Sequence, residues 1–430
     1  MDRILVNGGR VLKGEIPISG SKNAALPILA ATILCRGAVT LKNVPMIRDI
    51  TSMVAVLRTL GAEVRVERKE NRVTVNTERI VRPEAPYELV KTMRASILVL
   101  GPLVATLGRG RVSLPGGCAI GTRPIDIHLA GLEALGAEIT LEHGYVIAES
   151  RRLRGGYFRL PFPSVGATEN LVCAAALASG RTILENAARE PEIVDLADFI
   201  NAQGGAISGA GTERIEIEGV GSLAPREYSV MPDRIEAGTF LVAGAITGGR
   251  IAVRPMRRVW LASFLDTLDQ AGVPVAVEDA EERITVSPPY RFRPVEVRTA
   301  VFPGFPTDLQ AQMMVLSVLT EGESVYHETI FENRFMHVAE LRRMGAHIEI
   351  VGKSAHVRGV PFLSGAEVMA SDLRASAALV LAGLIARGRT TVTRVYHIDR
   401  GYERFEEKLA AVGADILRDR DAANEARMGS

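Results

Sequence analysis

Two kinds of apolar segment alternate along the chain. One is helix-like, partly charged and stopped by glycine before a strand-like run: VLRTLGAEV, GLEALGAEI, FINAQGGAI, TLDQAGVPV, ELRRMGAHI and KLAAVGADI. Taken at Gly61, Gly136, Gly205, Gly272, Gly345 and Gly413, the stops are 75, 69, 67, 73 and 68 residues apart. The other kind is apolar nearly all round and rich in small residues: NAALPILAATILCRG, RASILVLGPLVATLGRG, ATENLVCAAALASG, EAGTFLVAGAITGG, DLQAQMMVLSVLTEG and DLRASAALVLAGLIARG. Each ends at Gly before a short β-branched run such as AVTLKNV or RTILENA. A helix apolar on every side belongs inside a domain and a partly charged one outside. Glycine supplies the left-handed cap that turns each helix into a strand.

The unit is inner helix, strand, outer helix, then two or more strands, six times over. The sixth copy stops after GADILRDRD, and its missing strands are expected at the other end, where ILVNGGRVLKGEIPIS resembles HVRGVPFLSGAEVMAS. Closing the pattern this way predicts two domains of three units, residues 1–20 with 232–430 and residues 21–231. The chain would cross between them near Ser19 to Ser21 and near Met231 to Asp233. A double linker of this kind implies a cleft that can close. One solenoid of six units is the alternative.

Composition narrows the function. With 51 Lys+Arg against 50 Asp+Glu there is no global field for nucleic acid or a membrane, so anions must be met by local clusters. No apolar run reaches the ~18 residues of a membrane helix. The N-terminus lacks the order of a signal peptide, which predicts a cytoplasmic protein. Cys35, Cys118 and Cys173 are few and scattered, against a disulfide framework or a zinc site.

The copies differ most just before their inner helices: Lys22 and Asn23 in the first, Arg94 in the second, Ser164 to Asn170 in the third, Asp308 in the fifth, Asp372 and Arg374 in the sixth. Helix N-termini offer unsatisfied N–H groups and a positive dipole end, so several together suit an anion. Asp308 and Asp372 have a plain competing account as N-caps. Lys22 and Arg94 do not, because a cation there opposes the dipole and calls for an anion. Arg123, Arg334 and Arg400 occupy corresponding places after their central strands, and arginines with Lys22 point to a small phosphorylated or carboxylated substrate. Cys35 and Cys173 fall in apolar helices as core residues. Cys118, in the loop SLPGGCAIGTRPID, is expected to be accessible, with Arg123 favouring its thiolate; a bystander loop thiol is the alternative. His128 and His397 match neither a metal site nor a Ser-His-Asp arrangement.

SGSKNAALPILAATIL, LPGGCAIGTRPID, FPTDLQAQ, FENRFMHVAELRRMGAH and YHIDRGYERFEEKL together resemble the enolpyruvyl transferase family, in its branch acting on UDP-N-acetylglucosamine, from about residue 1 to 418. The resemblance implies a two-domain inside-out α/β barrel of six repeats of about 70 residues, three per domain. It implies transfer of enolpyruvate from phosphoenolpyruvate to the 3'-hydroxyl of UDP-N-acetylglucosamine, with release of phosphate, at the first committed step of peptidoglycan synthesis. No metal or organic cofactor is implied.

Residue by residue, the resemblance makes Cys118 the general acid or covalent partner of phosphoenolpyruvate and Asp308 the base near the attacking hydroxyl. Lys22, Arg94, Arg123 and Arg400 would hold phosphoenolpyruvate. Asn23, Arg94, Arg123, Pro124, Ile125, Asp126, Ile127, Ser164, Val165, Gly166, Asp308 and Ile330 would meet UDP-N-acetylglucosamine, and Asp372 and Arg374 would support the site. A cysteine at position 118 implies covalent inhibition by fosfomycin. The rivals are transfer to shikimate 3-phosphate, whose lysine motif reads more like GSKS without the GGC loop, and a silent UDP-sugar sensor on the same scaffold.

Overall fold

The computed structural model describes residues 2–91, 93–114 and 125–420. Among them the chain divides into two compact units, one holding it up to Ile18 and from Asp233 onward, the other from Ser19 to Pro232.

Each unit uses one device three times. An inner helix is followed by a central strand, an outer helix and a hairpin, and a short edge strand completes the sheet. The edge strand pairs parallel to the central strand, and the second hairpin strand pairs antiparallel on its other side. In the unit of Ser19 to Pro232 the central strands are Ala38–Lys42, Arg109–Ser113 and Arg181–Glu185, with edges Tyr228–Ser229, Glu84–Ala85 and Tyr157–Arg159. In the other unit they are Arg250–Arg254, Glu323–His327 and Arg389–Thr393, with edges Lys13–Pro17, Glu296–Arg298 and Glu367–Met369. Arg3–Asn7 is the strand that lies between Arg389–Thr393 and Asp415–Asp419. The last sheet is thus closed by the start of the chain.

Period-two alternation sets which face is buried. Val39 and Leu41 face Val75 and Val73 in the core, while Thr40 pairs with Thr74 on the other face at 3.2 Å between hydroxyls. Helices lie inside and sheets outside, so each unit is an inside-out α/β barrel. Every residue of the inner helix Arg234–Ile246 is buried, whereas the outer helix Arg48–Leu60 buries one face. Among the described residues no helix is long and apolar enough to cross a membrane.

The structure amends three expectations. The third stop glycine is Gly204, not Gly205: Gly204 has φ +101°, as Gly61, Gly136, Gly272, Gly345 and Gly413 have φ between +86° and +108°. A side chain at Gly205 would meet Ile200 instead. The second inner segment is not one helix but a 3-10 turn, Arg94–Val99, followed by Leu100–Leu107. Pro102 accounts for the break, since it cannot donate to the Leu98 carbonyl and its ring crowds that group. Cys35 sits beyond its helix, after the 3-10 turn Thr32–Leu34, where it is buried beside Leu223.

Candidate active site

In the unit of Ser19 to Pro232, Ser21 caps the inner helix Lys22–Ala31 by accepting from the Ala24 N–H at 3.3 Å. Lys22 is the first helical residue, and its Nζ lies 2.6 Å from Asp49 Oδ2, with the two side chains only 12% and 5% exposed. The anion that a cation in this place requires is therefore already supplied by the fold. Asp49 occupies the first turn of the outer helix Arg48–Leu60, where the dipole favours a carboxylate. Sequence reasoning missed it because nothing local links the two. Asn23 follows Lys22, and its carbonyl receives no helical hydrogen bond because residue 27 is proline.

Arg94 opens its 3-10 turn. Near it, the helix Asp126–Ala134 carries buried His128. Burial first, and the Arg94 charge second, lower the His128 pKa to about 4 against the opposing pull of Asp126. Asn170 fixes the ring. Its Oδ1 accepts from the Gly101 N–H at 2.6 Å, so its Nδ2 faces the Ile97 carbonyl at 3.3 Å and His128 Nδ1 at 3.1 Å. Nδ1 must then be the acceptor and Nε2 must carry the proton. Ser164 caps the helix Val165–Ala176 through the Ala167 N–H at 3.4 Å, and a side chain added at Gly166 would touch the His128 ring. Ile125, Asp126, Ile127, Ser164, Val165 and Gly166 thus lie about one histidine. Cys118, Arg123 and Pro124 lie outside the described residues.

A buried acidic group was not anticipated. Glu169 is raised well above the carboxylate range by burial, with Glu192 and Glu190 adding to it. Burial also pushes Asp195 up to about 6, although it accepts from the Tyr228 hydroxyl at 2.7 Å and the Met231 N–H at 3.1 Å. The available signal was Glu169 and Asn170 standing inside an otherwise apolar helix.

In the other unit, Asp308 lies inside a 3-10 turn, Thr307–Leu309, ahead of the helix Gln310–Ser317, and makes no capping bond. Its carboxylate accepts from Arg334 Nη2 at 2.8 Å and from Arg374 Nη2 and Nε at 3.0 and 3.2 Å. Asp372, by contrast, is an N-cap, accepting from the N–H groups of Arg374 and Ala375 at 2.9 and 3.1 Å. The plain account thus holds for one aspartate and fails for the other. Burial is the largest single influence on Arg374 and opposes its charge, but Asp308 beside it, together with Tyr402 and Asp233, raises its pKa. Arg374 Nη1 is buried without a hydrogen bond among the described residues.

Buried Glu328 organises the neighbouring loop, accepting from the Ile330 and Phe331 N–H groups at 2.8 and 3.1 Å and from the Thr307 hydroxyl at 2.8 Å. Arg400 ends the 3-10 turn Val395–Arg400. Arg418 grips that turn through Asp399 at 2.6 and 3.0 Å. Asp308, Arg334 and Arg374 are brought into direct contact, and the structure adds Glu328 and Arg418 to what the sequence offered. Among the described residues no group of three or more His, Cys, Asp or Glu is placed to hold a metal.

Comparison with known proteins extends over nearly the whole chain. The profile of the family described as EPSP synthase (3-phosphoshikimate 1-carboxyvinyltransferase) matches residues 6–409. The UDP-N-acetylglucosamine 1-carboxyvinyltransferase of Trichlorobacter lovleyi is 57% identical over 419 residues, covering 97% of this chain and 99% of the relative. The protein of the same name from Myxococcus xanthus is 54% identical over 423 residues, covering 98% and 100%. Among solved structures, the enolpyruvyl transferase NikO from Streptomyces tendae superposes with a TM-score of 0.86 at 27% identity, covering 97% of this chain and 98% of that one. EPSP synthase from Acinetobacter baumannii gives 0.75 at 19%, covering 98% and 100%, a likeness of fold.

Proposed function

The chain belongs to the EPSP synthase (3-phosphoshikimate 1-carboxyvinyltransferase) family of enolpyruvyl transferases, and from that premise we propose that it transfers enolpyruvate from phosphoenolpyruvate to the 3'-hydroxyl of UDP-N-acetylglucosamine. Phosphate is released, and the product enters peptidoglycan synthesis. Near-full-length kinship with relatives of that name supports this acceptor over shikimate 3-phosphate. The observation that carries the mechanism is Asp308, a carboxylate at the mouth of an inner helix that serves as no cap and is aimed by two arginines.

The chemistry is an addition followed by an elimination. Cys118 delivers a proton to C3 of phosphoenolpyruvate, which leaves C2 electron-poor. The sugar hydroxyl attacks C2 as Asp308 takes its proton; a carboxylate is basic enough for an alcohol only as that bond forms. Loss of a proton from C3 then expels phosphate and restores the double bond. Lys22, Arg94, Arg123 and Arg400 offset the charge of phosphoenolpyruvate and of the departing phosphate. Asn23, Arg94, the run Arg123, Pro124, Ile125, Asp126 and Ile127, the run Ser164, Val165 and Gly166, and Ile330 hold the nucleotide sugar. Asp372 starts the helix that presents Arg374. Both substrates are intracellular metabolites, which supports a cytoplasmic location. Fosfomycin, an epoxide phosphonate, would alkylate Cys118.

Phosphate release from phosphoenolpyruvate with UDP-N-acetylglucosamine, with shikimate 3-phosphate and with neither tests this reading. Release with the nucleotide sugar alone is expected. Release with shikimate 3-phosphate alone would reassign the acceptor, and none from protein that still binds UDP-N-acetylglucosamine would favour a sensor.

A further inference from the structure

Tyr402 is fully buried two residues beyond Arg400. Its ring lies beneath Arg374, whose Cζ stands 5.3 Å from the ring centre. Its hydroxyl meets two buried polar side chains of inner helices: Thr239 Oγ1 at 2.9 Å, from Arg234–Ile246, and Gln312 Nε2 at 3.3 Å, from Gln310–Ser317.

Donor and acceptor roles follow from the partners. Gln312 Nε2 lies 3.1 Å from the carbonyl oxygen of Asp308, which can only accept, so the amide nitrogen must face that way. Thr239 donates its hydroxyl to the Ile235 carbonyl at 2.8 Å and therefore accepts from Tyr402. The second Gln312 N–H is shared between the Tyr402 oxygen at 3.3 Å and Thr239 Oγ1 at 3.1 Å. Each hydroxyl is used in both senses, and the chain of bonds ends on the backbone of Asp308, while the ring supports the arginine that holds its carboxylate.

We propose that Tyr402 is a positioning residue for the reaction, tying the Arg400 turn to Asp308 through Gln312 at the backbone and through Arg374 at the carboxylate. The inference rests on Asp308 being the base. Asp308 is faced by Arg334 and Arg374, Arg374 also by Asp233 and Tyr402, and Arg334 by His337, which is near Asp372. Without its tether, Arg374 holds the carboxylate less well, and the carboxylate then takes up a proton at higher pH.

The test compares Tyr402→Phe, which keeps the ring and removes the hydroxyl, with Tyr326→Phe. Tyr326 is equally buried, and its hydroxyl meets Ser317 Oγ at 2.6 Å on the core side of the same unit. For Tyr402→Phe we expect kcat about tenfold lower, KM for UDP-N-acetylglucosamine within threefold, and the acidic limb of the kcat–pH profile moved upward. Tyr326→Phe should keep kcat within twofold and the profile unmoved, whatever its melting temperature. Wild-type kcat and profile in Tyr402→Phe, or equal kinetic losses in both variants, would overturn the proposal. If Tyr402→Phe does not fold, Gln312→Met removes the link between Tyr402 and the Asp308 backbone, and the same outcomes apply. Asp308→Asn, measured alongside, separates the two claims: retained activity there ends the reading of Asp308 itself, whereas an inactive Asp308→Asn with a normal Tyr402→Phe ends only the tether.

Discussion

Asp308 Oδ2 lies 3.0 Å from Arg374 Nη2, although the two residues are 66 apart in the sequence. Arg334 takes the other oxygen, and the two arginine side chains are only 5% and 3% exposed. Removing the carboxylate strands two buried cations as well as deleting a base. Asp308→Asn is expected to lower kcat by ~10²–10⁴-fold, the range for a positioned general base, and to lower the melting temperature. Phosphate-release kinetics on folded variant decide it, since a kcat within tenfold of wild type would exclude the role.

Lys22 and Asp49 make the corresponding pair in the other unit. Their side chains are nearly covered, so Asp49→Ala should destabilise the free protein by about 3 kcal/mol, the scale for breaking a buried pair. An anion that reaches Lys22 then replaces the lost partner. Millimolar phosphate should raise the denaturation midpoint of Asp49→Ala more than that of wild type. Equal shifts in both proteins would mean that Lys22 does not receive the anion.

His128 and His337 are both buried with pKa values lowered to about 4, in each case by burial before any charge. A histidine lowered from 6.5 binds fewer protons folded than unfolded between the two values. Stability therefore falls as the pH drops from 6.5 towards 4. Asp195, raised from 3.8 to about 6, acts in the opposite sense: its contribution is present at acid pH and is lost as the pH rises through that window. His128→Gln isolates one group and leaves an acceptor for Asn170. Between pH 7 and pH 5 wild type should lose about 2 kcal/mol more than the variant. Urea melts at the two pH values measure this, and parallel losses would show that His128 titrates as it does in the unfolded chain.

The repeat was legible because it is written locally. Apolar-all-round helices and glycine stops need no knowledge of the fold, and even the misplacement at Gly205 was by one residue. What could not be read was pairing at a distance. Lys22 announced that it needed an anion, but only the packing of two helices names Asp49. Asp308 and Asp372 look alike as sequence, and only Arg334 and Arg374 distinguish a clamped carboxylate from a cap. Thr239, Gln312 and Tyr402 are buried polar residues whose meaning exists only where three elements meet. Asn170 and Glu169, polar within an apolar helix, were a signal that pattern reading can use.

The three cysteines should respond to alkylation very differently. Cys35 and Cys173 are 1% and 2% exposed. Burial pushes the Cys35 thiol up to about 12 and raises Cys173 well beyond its ordinary range, with Glu169 adding to it. The thiolate is the reactive form, so neither should react in folded protein near neutral pH. If Cys118 carries the proposed chemistry, fosfomycin should add once to native wild type, with inhibition tracking the mass increase, and not at all to Cys118→Asp. After unfolding, iodoacetamide should label all three in wild type and two in the variant. A fosfomycin adduct on native Cys118→Asp would place the reactive thiol elsewhere, and an unmodified, uninhibited wild type would remove Cys118 from the mechanism.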